Sequence, residues 1–205
     1  MNARTTLLAA LAVASPLAPA CACGDVGSEE DARIAYLGVD DIVTKSLALG
    51  FAGFNAASSA NIPAQSDDGE QSGTIDVTGQ VDQGSSDNKG MRLQVALTEY
   101  SDGAIDDPET EDVEEEIAIV YATAEAAPLA LDLQLRNIPA GTLSGTLAGT
   151  VGMTGDLEGD LELDIAFDGA IADDGAGGTE RVEGTTEVTG TATSANGTFE
   201  IDTAI

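Results

Sequence analysis

From Gly73 to its C-terminus the chain is written in a two-residue rhythm, and that rhythm leaves few folds open. Its clearest stretch runs from Leu143 to Phe167, where nearly every odd position is apolar or glycine. Thr142, Thr146, Thr150, Glu158, Asp160, Glu162 and Asp164 hold even positions there. Successive side chains of a strand point to opposite faces, so this pattern describes strands with one dry and one wet face, the habit of antiparallel sheets. The alternation recurs at Ile75, Val77 and Val81, at Met91, Leu93, Val95 and Leu97, at Ile117, Ile119 and Tyr121, and at Leu129, Leu131, Leu133 and Leu135. A single strand over 143–167 would reach about 80 Å at roughly 3.3 Å per residue, so it must fold back. A three-residue turn, Met153-Thr154-Gly155, preserves the parity and places Gly152 opposite Asp156, Leu147 opposite Leu161 and Gly145 opposite Leu163. The last hairpin changes parity across Asn196-Gly197, from Val182 and Val188 to Phe199, Ile201 and Ile205, as a two-residue turn demands.

One segment keeps a different period. Tyr36, Val39, Val43, Leu47, Phe51 and Phe54 recur at steps of three or four, which predicts a helix from Ile34 to about Ala57. Leu37, Ile42 and Leu49 lie off that stripe, and a helix apolar on most sides calls for burial. Gly50 and Gly53 would weaken its second half or let another backbone approach closely, and 60–72 reads as a loop. The fold expected is mainly β: a strongly curved antiparallel meander of about eight strands, open or barrel-like, with one N-terminal helix packed on or inside it. If the helix fills the cup, no cavity remains. If it sits at the mouth, Leu147, Val151, Leu161, Leu163 and Phe167 would line an apolar cavity; otherwise they are core.

Charge narrows the function. The chain has 37 acidic and 7 basic residues, no histidine and no tryptophan. Such a surface repels nucleic acid and anionic headgroups, so no nucleic-acid partner is expected. Without histidine there is no Ser-His-Asp arrangement and no ordinary zinc site, and neither a GxGxxG nor a GxxxxGK[ST] loop occurs. Carboxylate pairs are too plentiful for any one pair to mark an active site. The chain therefore reads as a non-enzyme with no cofactor. Glu99 to Glu116 holds ten acids and no base, which suits a solvated hairpin loop or a weak calcium-binding stretch. An outer-membrane barrel would fit eight strands, but would crowd Glu158, Asp160, Glu162 and Asp164 into a narrow lumen and lacks aromatic girdles.

The N-terminus addresses the chain. Arg4 precedes a purely apolar run from Leu7 to Ala14, and Ala18-Pro19-Ala20 supplies the small residues of a cleavage site, the layout of a secretory signal. Removing 1–20 leaves 6 − 37 = −31 formal charges. Cys21 and Cys23 are the only cysteines, one residue apart, which matches neither a zinc clip nor a redox pair. Ala18-Pro19-Ala20-Cys21 resembles the lipobox of bacterial lipoprotein precursors. That resemblance covers only the targeting segment, and implies cleavage before Cys21, lipid on Cys21 and a membrane anchor. Ordinary signal peptidase would cut the same bond and release a secreted protein.

The expected organisation is a signal peptide at 1–20, a polar tether at 21–33, and one helix-plus-sheet domain at 34–205. The expected place is outside the cytoplasm: the outer membrane or cell surface if lipidated, the periplasm or medium otherwise. Two functions fit. One is a non-enzymatic, acidic cell-envelope protein acting on a protein partner through its surface or as structural support. The other is a tethered carrier of a lipid or other hydrophobic ligand in the curved sheet.

Overall fold

The computed structural model describes residues 24–105, 117–175 and 178–205. Its elements are β1 (Gly24–Asp25), α1 (Glu29–Ala56), β2 (Asn61–Asp68), β3 (Ser72–Val81), β4 (Lys89–Ser101) and β5 (Ile119–Ala122), then β6 (Leu129–Arg136), β7 (Gly141–Gly155), β8 (Leu157–Asp173), β9 (Thr179–Arg181), β10 (Glu187–Ser194) and β11 (Gly197–Ala204). The strands form one sheet in the order β11-β10-β8-β7-β5-β4-β3-β2. Strand β6 shares with β5 the slot between β4 and β7, and β9 lies on β8. All pairs are antiparallel except a two-residue parallel contact of β1 with β8. Among the described residues the fold is thus mainly β with a single helix, as the two periods predict. Edge strands β2 and β11 do not pair among the described residues; α1 packs against both, so the ring of strands is not a regular barrel.

The helix lies within the curve of the sheet. Tyr36, Val39, Val43, Leu47 and Phe51 join the inward residues of β3, β4, β6, β7 and β8 in one core, and Leu37 and Ile42, off the stripe, are buried too. What comes close to Gly50 and Gly53 is side chains and not another backbone. A Cβ at Gly53 would come within 2.7 Å of Ile62, and one at Gly50 within 3.1 Å of Leu93 and Met91. The carboxylates point outward and the apolar residues inward, the reverse of what a water-filled barrel would require.

Two polar latches hold the helix. Arg181 of β9 donates from Nη1 to Asp40 Oδ2 at 2.7 Å and to Thr44 Oγ1 at 3.0 Å, while the Tyr36 hydroxyl donates to Asp40 Oδ1 at 3.3 Å. On the other flank Lys45 donates to the Asp68 carbonyl at 2.8 Å and approaches Asp102 at 3.5 Å, 5.2 Å from the centre of the Tyr100 ring. The Tyr100 hydroxyl donates to Asp102, and that of Tyr121 to the Ala35 carbonyl at 2.9 Å.

Several local expectations need correction. The helix begins at Glu29, not Ile34, because Ser28 caps it: its Oγ accepts from the Asp31 amide at 3.1 Å, and Glu29, Glu30 and Asp31 suit the positive end of the helix dipole. The described part of 21–33 is therefore no free tether. Gly24 and Asp25 pair with Leu157 and Glu158, Val26 is fully buried, and Ser194 and Asn196 donate to its carbonyl at 2.7 and 3.1 Å. The 60–72 loop contains β2, an edge strand that tolerates Pro63 at a bulge between Ile62 and Gln65.

The β7–β8 register also differs, with Leu147 opposite Ile165, Gly145 opposite Phe167 and Gly152 opposite Asp160. The tip takes five residues, 154–158, because Thr154 and Gly155 still pair with β5. Asp156 also clamps Ala118, donating its amide to the carbonyl at 3.1 Å and accepting from the amide at 2.9 Å. In the last hairpin the two-residue turn is Ala195-Asn196, one position before the expected one.

Burial gives all three tyrosines one pH signature. Tyr36, Tyr100 and Tyr121 are at most 3% exposed. Loss of water around each ring is the main cause that pushes its phenol above the usual range, reinforced by Asp40, Asp102 and Asp41 respectively. A folded-state pKa above the unfolded value means this stabilisation is complete below about pH 10 and lost as pH rises beyond it. The expected result is that phenolate absorbance appears cooperatively, together with loss of the β signal in circular dichroism. Independent titration near pH 10 with an intact sheet would contradict it.

Candidate functional site

All five residues that would line a cavity lie in the packed core. Leu147, Val151, Leu161, Leu163 and Phe167 are at most 3% exposed and share one cluster with the buried face of α1. Phe167 is the one beside Gly145, where a Cβ would lie 2.7 Å from its ring, so the ring occupies the room the glycine leaves. Cys21 and 106–116 of the acidic run lie outside the described residues.

The chemistry left exposed is on the outward face of β7, β8, β10 and β11. Their registers set side chains in rows: Thr150, Glu162, Thr193 and Thr198; Ala148, Asp164, Thr191 and Glu200; Thr146, Ala166, Thr189 and Asp202; Ser144, Asp168, Glu187 and Ala204. On β8 Glu162 stands between two hydroxyls and Asp164 and Asp168 each beside one, with Glu187 on the other side of Asp168, and neighbours along a strand on the same face are about 7 Å apart. Thr193 and Thr198 share a hydrogen bond at 2.9 Å.

Among the described residues β7, β8, β10 and β11 carry no base on that face; Arg136 of β6, exposed and opposite Thr142 of β7, stands at its border. Residues 137–205 contain one base, Arg181, and its side chain is turned inward to Asp40. Elsewhere Arg33 is held by Glu30 and Arg92 by Asp82, whose carboxyl is drawn below its usual range chiefly by that guanidinium. Lys89 is buried, donating to the Gly84 carbonyl at 2.6 Å with its ammonium 4.7 Å from the centre of the Phe54 ring.

Among the described residues, clefts interrupt the surface at several places. A shallow depression of about 390 Å³ opens around Ala166, where the row carries its smallest side chain, with Asp132 and Asp168 at the rim. A cleft of about 330 Å³ separates Glu29, Glu30 and Arg33 from Glu200, Ile201 and Asp202. A third, about 290 Å³, lies near Phe51, Ile138 and Pro139 with Asp87 and Asp173 beside them. Among the described residues no group of three or more acids is placed to hold a metal ion. Asp173 and Asp174 instead accept amides of their own loop, Gly175 and Gly178, both at 2.8 Å.

Comparison with protein-family models, curated proteins and solved structures finds no match. The site is therefore read from its own geometry. What sequence reasoning missed is the Arg181–Asp40 latch and the cleft beside β11. The sequence held hints of the latch: Asp40 falls three residues before Val43 and four after Tyr36, on the apolar side of the helix, and Arg181 is the lone base of 137–205.

Proposed function

We propose that this chain is an exported, non-enzymatic protein of the cell envelope, held to a membrane through lipid on Cys21, that acts on a protein partner through the outward face of β7, β8, β10 and β11. The observation that carries the reading is the division of the fold: its own helix occupies the interior, while the outer face of β7, β8, β10 and β11 is a carboxylate and hydroxyl surface with no base of its own, Arg136 of β6 standing only at its border. An uncompensated field of this kind draws positively charged partners and repels nucleic acid. A diacyl or triacyl terminus at Cys21 would hold the domain at a bilayer more firmly than a single chain can.

Mass analysis of protein purified from its source tests the reading. The expected species begins at Cys21 with acyl mass attached and, under native conditions without detergent, carries no other lipid. An unmodified Cys21 terminus would overturn the anchor and make the protein a secreted one. A chain retaining 1–20 would overturn export. Stoichiometric lipid retained in the fold would overturn the surface reading in favour of a carrier.

A further inference from the structure

The acidic face ends at β11, a strand edge with which no further strand pairs among the described residues and beside which α1 packs. Thr186 and Ile205 exchange both backbone bonds, at 2.9 and 2.8 Å. By the alternation of an antiparallel ladder, odd residues of β11 bond to β10, while the backbone groups of Thr198, Glu200 and Asp202 point to the free side. No backbone partner meets them there among the described residues. Across from them the 330 Å³ cleft brings the first turn of α1, with Glu29 and Glu30, to face Glu200 and Asp202. The one cation in the cleft, Arg33, is tied to Glu30 at 2.8 Å.

The two edges of the sheet are not alike. Strand β2 carries the devices that block pairing: Pro63, a bulge and the adjacent Asp67 and Asp68. Strand β11 has neither proline nor bulge. We infer that β11 is a docking edge for an extended basic segment of a partner protein, which adds as a further strand and sets its lysines or arginines against Glu29, Glu30, Glu200 and Asp202. Backbone bonds would supply affinity and alternate side chains the specificity.

Charge decides the occupant. A second copy pairing antiparallel along the length of β11 would set Glu200 opposite Asp202 or opposite its own copy, and like charges directly opposite destabilise a sheet. A second copy offering β2 would bring Asp67 and Asp68 along with its proline. A basic strand meets neither obstacle. The inference rests on the surface reading above and adds to it the place and the kind of partner.

The test uses the mature chain and a capped nonapeptide alternating lysine with valine, followed by calorimetry and amide shifts. Controls are the same peptide with its two central valines replaced by proline, and a glutamate–valine peptide. The expected result is saturable binding of the lysine peptide alone, with shifts confined to β11 and the first turn of α1. Glu200→Pro removes a donor on the free side and leaves the bonds to β10 in place, so it should fold and bind about tenfold more weakly or worse. Should it unfold, as circular dichroism would show, the double variant Glu200→Gln, Asp202→Asn and the proline peptide carry the test. That double variant should weaken binding and flatten its salt dependence.

Equal binding of the proline peptide, shifts spread over β7 and β8, or no binding at all would each overturn the docking edge. None of these would touch the surface reading, which falls only if the native protein proves to hold lipid.

Discussion

Replacing Arg181 by alanine is expected to destabilise the fold by about 3–5 kcal/mol, the usual penalty for breaking a buried pair from one side. For a domain of this size that lowers the melting temperature by roughly 6–20 °C. The side chains of Arg181 and Asp40 are only 8% and 7% exposed, and the guanidinium also serves Thr44. Alanine would leave the Asp40 carboxylate in the core with no more than the 3.3 Å bond from Tyr36. It would also free the short strand β9 from the helix. Removing both charges is a different experiment. Asp40→Leu with Arg181→Met takes out the desolvation penalty along with the attraction, so most of the lost stability should return. Urea unfolding of the four proteins of this cycle gives the coupling directly. A single alanine variant within about 1 kcal/mol of the parent would mean that the pair is hydrated and the latch is not one.

That latch joins residues 141 positions apart; the sequence marks its two charges but not that they pair, which illustrates what alternation can and cannot specify. Which face each strand buries was legible, because moving Leu161 or Val151 to the wet side would expose a whole row. Register was less so. Sliding β8 along β7 by four residues, from the expected Leu147–Leu161 pair to the observed Leu147–Ile165 pair, leaves every side chain on its own face. The clamp of Asp156 on Ala118, the pairing of Gly155 with Ile119 and the Phe167 ring over Gly145 go with the observed register. The helix was found by its apolar stripe and misplaced at its start, since the cap Ser28 and the acids after it carry no hydrophobic signal. Strand β2 escaped for a related reason. An edge strand with solvent on one side needs no strict alternation, and Pro63 reads as a loop until the bulge that accommodates it is seen. The face of carboxylates was plain from the even positions, but that β11 ends it as an edge strand depends on strand order, which no local pattern encodes.

Truncating Phe167 to alanine should cost about 3–5 kcal/mol in unfolding free energy, and the same experiment separates the two roles its row of residues could have. Core packing and cavity lining produce the same odd-numbered apolar pattern at Leu147, Val151, Leu161, Leu163 and Phe167, so periodicity alone could not divide them. What divides them is occupancy. The Phe167 ring lies over Gly145, its strand partners on β7 and β10 are Gly145 and Val188, and the helix is packed into the same cluster. Removing the ring deletes contacts that the surroundings cannot fully replace, and the void adds to the loss in proportion to its volume. Leu161→Ala should follow at about 2–5 kcal/mol by the same reasoning. Residues facing an open ligand cavity behave otherwise: their truncation leaves the unfolding midpoint nearly unchanged and reduces uptake of a hydrophobic probe. Chemical unfolding of both variants, with probe binding measured alongside, therefore asks whether the helix or a guest occupies the cup. A loss below about 1 kcal/mol in both would move the row from core to lining.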